Sequence, residues 1–255
     1  MRPTILRAAI CALALGVAAA PAAAQSIADR VARAPDGTVR MTFAAREGVC
    51  GSGDRNISIR SSSDNEWERD CEEGPVRVSL AVSGGRVTRI KTYVAGRWRA
   101  GSGQVTDLGT VSTQAAADYL LDLAERGGRG AKDAIFPATI ADSVVVWPRL
   151  ARVARNTSAP RETRKQAVFW LGQAAGDAAT ASLDSMVSDD SGDREVREAA
   201  VFAISQRPKD EGVPVLLRIA QNDRDPKIRR NAMFWLGQSD DPRAIAFFES
   251  VLAKP

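Results

Sequence analysis

Ala167-Val168-Phe169-Trp170-Leu171 returns as Ala200-Val201-Phe202-Ala203-Ile204 and as Ala232-Met233-Phe234-Trp235-Leu236, with a looser copy at Ala134-Ile135-Phe136-Pro137-Ala138. The phenylalanines lie 33, 33 and 32 residues apart. A second apolar phrase alternates with the first: Leu120-Leu121-Asp122-Leu123-Ala124, Leu150-Ala151-Arg152-Val153-Ala154, Leu183-Asp184-Ser185-Met186-Val187 and Leu216-Leu217-Arg218-Ile219-Ala220. Two short apolar helices in each unit of about 33 residues predict a stack of helical hairpins, an α-solenoid. Each hairpin buries its apolar stripe on its neighbours, and the stack presents one long face.

Outward from these units, the prolines at 148, 160, 208, 214, 226 and 242 mark unit boundaries. Asp225-Pro226 and Asp241-Pro242 read as a helix cap followed by a first turn. Asp193 with Arg197 and Asp225 with Arg229 are four apart and suit intrahelical pairs, or bridges between units. Ser112 or Thr113 caps the first long helix, which stops near Gly127-Gly128. Before it the period is two. Val76, Val78, Leu80 and Val82 alternate with small or polar residues, Ser83-Gly84-Gly85-Arg86 supplies a turn, and Val87 to Val94 returns as a second strand. Thr38 to Ala44 and Ile57 to Arg60 are further strand candidates. The predicted fold is α+β, with a small antiparallel β module at 25–111 and a solenoid of about four units at 112–255.

Residues 1–24 are expected to be a signal peptide. Arg2 and Arg7 precede an apolar stretch too short to span a bilayer, and Ala22-Ala23-Ala24 offers a cleavage pattern before Gln25. The reading is a periplasmic or secreted protein with no membrane span. Cys50 and Cys71 are the pair left after Cys11 is removed, and in an oxidising compartment they are expected to form a disulfide. Such a closure stabilises by about 3 kcal/mol through constraint of the unfolded chain. Losing Arg2 and Arg7 leaves 33 basic residues against 31 acidic ones, a net charge of +2. That is too little for a nucleic-acid partner, which needs a concentrated basic face.

The run Asp225-Pro226-Lys227-Ile228-Arg229-Arg230-Asn231-Ala232-Met233-Phe234-Trp235-Leu236-Gly237, followed by Asp240-Asp241-Pro242-Arg243-Ala244-Ile245, resembles HEAT repeats. In particular it resembles the short HEAT-like units of phycobilisome lyases. The whole layout resembles exported bacterial HEAT-repeat proteins. The resemblance covers roughly residues 113–253 and implies a non-catalytic scaffold that binds a protein partner in the cell envelope. Two units depart from the pattern: Pro137 and Ala203 stand where Trp170 and Trp235 stand in the others.

The chain contains no histidine. This removes Ser-His-Asp and Cys-His catalysis, His-bearing zinc sites and the commonest general base at neutral pH. The acid pairs Asp189-Asp190, Asp240-Asp241 and Glu72-Glu73 fall in polar turns, where nothing raises a carboxyl pKa. Neither a cofactor nor a metal is expected. Phe136, Phe169, Phe202 and Phe234 form the candidate partner-binding ridge. On a helical wheel Phe202 lies about 140° from the centre of the apolar face, so these rings either pack sideways on the next unit or look outward. Trp170 and Trp235 are expected on the buried face. Trp67 and Trp98 form a candidate platform on the β module for cell-wall glycan or peptide, an alternative function; a lyase-like enzyme is the other. The apolar end at Phe247-Phe248-Glu249-Ser250-Val251-Leu252 is a candidate homodimer surface.

Overall fold

The computed structural model describes residues 25–59, 71–98, 103–174 and 177–253. Residues 1–24, where a signal peptide is expected, and Trp67 lie outside the described residues.

A short helix, α1 (Ile27–Arg33), opens the β module, capped by the Ser26 hydroxyl, which accepts from the Asp29 N–H. Strands β1 (Gly37–Phe43), β5 (Val76–Ser83), β6 (Arg86–Val94) and β7 (Val105–Thr110) form one sheet in the order β6-β5-β1-β7. β2 (Val49–Ser52), β3 (Arg55–Ile59) and β4 (Glu72–Glu73) form a second sheet, β3-β2-β4. The turn between β5 and β6 places Gly84 at φ 57° and Gly85 at φ 69°, the left-handed pair that a two-residue hairpin needs. The Asp36 carboxylate pins it by accepting from the Gly84 N–H at 2.7 Å and the Ser83 hydroxyl at 3.0 Å. The sheet is not wholly antiparallel: β7 runs parallel to β1, pairing Val39 with Thr106. Cys50 is fully buried on β2 and bonded to Cys71, which joins the second sheet's central strand to the residue before β4.

Alternation puts Val39, Met41 and Phe43 of β1 beside Val76, Val78, Leu80 and Val82 of β5 on one buried face. That face belongs to the same continuous core as α2 (Thr113–Arg126), whose Ala116, Ala117, Leu120, Leu121 and Ala124 are buried. Each fully buried leucine or phenylalanine of this set contributes about 2 kcal/mol of transfer free energy.

From α2 onward the chain is helical. The first unit is irregular, its second helix reduced to a 3₁₀ turn at Ala131–Ala134 and α3 (Ile135–Thr139), where Pro137 removes a donor. Hairpins follow: α4 (Trp147–Arg155) with α5 (Arg161–Gly172), α6 (Asp177–Val187) with α7 (Arg194–Ser205), and α8 (Lys209–Asn222) with α9 (Pro226–Gly237). α10 (Pro242–Leu252) comes last. Two layers result, with α2, α4, α6, α8 and α10 in one and α3, α5, α7 and α9 in the other. Asp193, Asp225 and Asp241 cap α7, α9 and α10, as the Asp-Pro pairs led us to expect for the last two. Pro214 is not a boundary: it sits inside α8 on its exposed side.

Candidate functional site

The layer of α3, α5, α7 and α9 carries the four phenylalanines, and their exposure is uneven. Phe136 and Phe202 are half-buried, Phe169 is 39% exposed and Phe234 is 58% exposed. The cause lies one unit downstream. Trp170 reaches back to Phe136 with ring centroids 5.3 Å apart, and Trp235 reaches back to Phe202 at 4.9 Å. Ala203 occupies the corresponding place in the unit after Phe169 and offers no ring. Among the described residues no helix of this layer follows α9. Each tryptophan also holds its own unit's phenylalanine edge-on, Phe169 on Trp170 at 5.2 Å and Phe234 on Trp235 at 5.0 Å, an arrangement that aromatic quadrupoles favour. Trp170 and Trp235 pack against the core, as their place on the buried face led one to expect, but only half-buried, since each ring also covers the phenylalanine of the preceding unit. The Trp170 Nε1 and the Asn231 Oδ1 are buried without a hydrogen bond along this face.

Ala203 has its own reason. A Cβ built on Gly172 would lie 2.8 Å from the Ala203 Cβ, so α5 and α7 approach closely where glycine meets alanine. Tryptophan at 203 has no room in that contact. Ala203 is accordingly 2% exposed, and the step between these two units is closed rather than hollow.

Charged residues tie the units together. The guanidinium of Arg164 reaches Asp193 of the next unit at 3.1 Å, and Arg197 reaches Asp223 at 3.0 Å while also donating to the Val187 carbonyl at 2.7 Å. Arg161 joins Asp193 at 2.8 Å and Glu195 at 2.7 Å. Of the two arrangements open to Asp193 and Arg197, an intrahelical pair or bridges between units, the bridges form. Arg229, equivalent to Arg164 and Arg197, instead donates to the Asp223 and Arg224 carbonyls. Burial pushes the Asp193 carboxyl up, but hydrogen bonds from Arg161, the Glu195 N–H and Arg164 outweigh it and hold it below the usual range. Arg207, buried between units, binds the Gly172 and Ala174 carbonyls, the Thr180 hydroxyl at 2.9 Å and Glu211 at 2.8 Å. The sequence signal for the buried Arg164 and Arg197 is their place three residues before the alanine of their phrases, a place that the half-buried Arg229 shares.

A polar hollow of about 450 Å³ lies at the N-terminal ends of α5, α7 and α9. Its six lining residues are Arg161, Arg194 and Lys227 against Asp193, Glu195 and Glu198, so its charges balance. The acid pairs do not converge on it. The Ser191 hydroxyl and N–H hold Asp189 below its ordinary range, and Arg243 brings Asp241 to about 2. Both carboxyls are pushed toward ionisation, opposite to what a proton donor at neutral pH needs. Among the described residues no group of three or more His, Cys, Asp or Glu side chains could hold a metal ion. On the β module Trp98 is half-buried against its own sheet: the Arg40 guanidinium lies 4.7 Å from its ring centroid, and Tyr93 meets it edge-on at 5.6 Å. At the C-terminal end α10 buries Phe247 and exposes Ile245, Val251 and Leu252.

A family model described as HEAT repeats matches residues 189–255, which contain α7 to α10 and about a quarter of the chain. No match is found among curated proteins. Residues 189–255 are thus similar to HEAT repeats, which commonly serve as protein-interaction scaffolds. Among the described residues no helix is long and apolar enough to cross a membrane.

Proposed function

We propose that this protein is a non-catalytic, exported scaffold whose α5–α7–α9 face binds a protein partner in the cell envelope. One observation carries the reading: Phe169 and Phe234 remain exposed on that face, each set edge-on against a tryptophan. Exposed aromatic rings in fixed orientation lose little entropy on association and serve as anchors at protein interfaces. Export is supported by the composition of residues 1–24 and by the paired Cys50 and Cys71. Against a glycan platform at Trp98 stands the Arg40 guanidinium, which occupies one face of the ring. A lyase-like activity has no raised carboxyl among the groups described above to work with.

The test is affinity capture from envelope extract with the full chain and with the double variant Phe169→Ser/Phe234→Ser, circular dichroism first confirming that the variant is folded. A protein retained by the native chain and lost by the folded variant supports the scaffold. Equal retention by both would move the interaction off this face. Phe202 stays unchanged because Trp235 packs on it.

A further inference from the structure

The four-stranded sheet has a second face, and it is basic. β5 and β6 turn Val78, Leu80 and Ile90 into the core. Their alternate residues look the other way, where Ala81 pairs with Arg89, Ser79 with Lys91 and Arg77 with Tyr93. Arg86, opposite Ser83, begins the same row. The turn leading into the 3₁₀ helix runs along the outer edge of β6. A Cβ on Gly130 would lie 3.5 Å from the Arg89 Cα, which brings Arg129 and Lys132 to that flank. Arg86, Arg89, Lys91, Arg129 and Lys132 are all exposed, and none forms an ion pair or hydrogen bond among the described residues. In the solenoid, by contrast, Arg149, Arg161, Arg164 and Arg197 are each held by carboxylates. Three acids border the array. Asp133 is exposed beside Lys132, Asp107 on β7 accepts from the Gly109 N–H, and Asp36 is engaged at the hairpin turn.

We propose that this face of the β module lies on an anionic bilayer, with its cations at the level of the lipid phosphates. The inference goes beyond the scaffold reading and does not depend on it. Three observations select a bilayer among anionic partners. First, the charges cover an area rather than a line. Arg86 to Lys91 spans about 17 Å along β6 at about 3.3 Å per residue, and Arg129 and Lys132 widen the array beyond the strand's edge. A planar array suits a charged surface, whereas a single polyanionic strand is met by a row or a groove. Second, the array exposes no large apolar side chain among the described residues, so it lacks the anchor on which a protein interface relies. Third, Tyr93 and Trp98 stand on the same face, edge-on at 5.6 Å. Such rings favour the headgroup zone, where one end of the side chain meets apolar matter and the other meets water. Each basic residue near an anionic bilayer raises the partition about fivefold, an attraction that salt weakens. In this arrangement the β module holds the chain at a membrane while the solenoid binds its partner.

The experiment measures co-flotation of the full chain with vesicles of phosphatidylcholine alone and of phosphatidylcholine with an equal part of phosphatidylglycerol. The ratio of the two partitions is the readout, because the apolar stretch before Gln25 acts in both alike. The ratio should lie far above one at low salt and fall as salt is raised. The variant Arg89→Gln/Lys91→Gln/Arg129→Gln, shown by circular dichroism to be folded, should lower it about a hundredfold. Arg194→Gln/Lys227→Gln/Arg230→Gln removes the same charge from the solenoid and should leave the ratio near that of the native chain. Should the first variant unfold, Arg86→Gln/Lys132→Gln carries the same test, with a fall of about 25-fold. A ratio near one for the native chain, or an equal fall in both triple variants, overturns the proposal. Retention on immobilised polyphosphate without co-flotation would assign the cations to a soluble polyanion and overturns it as well. Phe169→Ser/Phe234→Ser should co-float as the native chain does, so loss of the bilayer and loss of the protein partner are read separately.

Discussion

Arg197 is a closely held charge in the solenoid. Its side chain is 6% exposed, Asp223 is 7% exposed, and the Val187 carbonyl takes a further hydrogen bond. Replacing it by methionine removes the guanidinium and leaves the buried Asp223 side chain without its ion-pair partner. Such losses cost about 3–5 kcal/mol, which chemical denaturation of the Arg197→Met variant should report. The double variant Arg197→Met/Asp223→Asn should recover part of that loss, since no uncompensated charge remains. Tyr119 supplies a pH probe. Its hydroxyl is buried, and desolvation lifts its pKa from 10.0 to about 12. The folded chain keeps this proton after the unfolded chain has released it, so the contribution is intact below pH 10 and is lost as pH rises to about 12. Urea midpoints across that window should fall less steeply for Tyr119→Phe than for the native chain.

At the scale of elements, two glycines at equivalent helix ends behave in opposite ways. Gly172→Ala drives a methyl to 2.8 Å from the Ala203 Cβ and should separate α5 from α7, at a cost of about 1–3 kcal/mol. Gly237→Ala meets nothing within 4 Å and should stabilise α9 by up to about 1 kcal/mol through helix propensity. Opposite shifts in thermal melting of the two variants would verify this. Helices of this kind were legible because their apolar period repeats: the phrase around Phe169 fixes both length and face. Bridge partners were not. The spacing of Asp193 and Arg197 suits an intrahelical pair, but Asp193 is a cap whose carboxylate faces the Glu195 N–H, and Arg161 and Arg164 reach it from the preceding unit. β7 was hidden for another reason. Only Leu108 of its six residues is buried, so an edge strand without alternation leaves little trace in the sequence. In α1 the signal was present but small, a Ser26 cap and the two buried residues Ile27 and Val31.

For the molecule as a whole, the β module and the helices share one core, while the disulfide lies in the second, three-stranded sheet. Cys50→Ser/Cys71→Ser should therefore lower global stability by about 3 kcal/mol in denaturant and leave the far-ultraviolet signal of the helices intact before the transition. The pattern of ring coverage works across the same length scale. Trp170 hides Phe136, Trp235 hides Phe202, and Ala203 leaves Phe169 bare. What a unit shows to a partner is thus written in the sequence of the unit after it. Duplicating, deleting or shuffling whole units would edit the surface of the neighbour that was left untouched. A transplanted unit would bring its own ring but not the cover that decides whether the ring is seen.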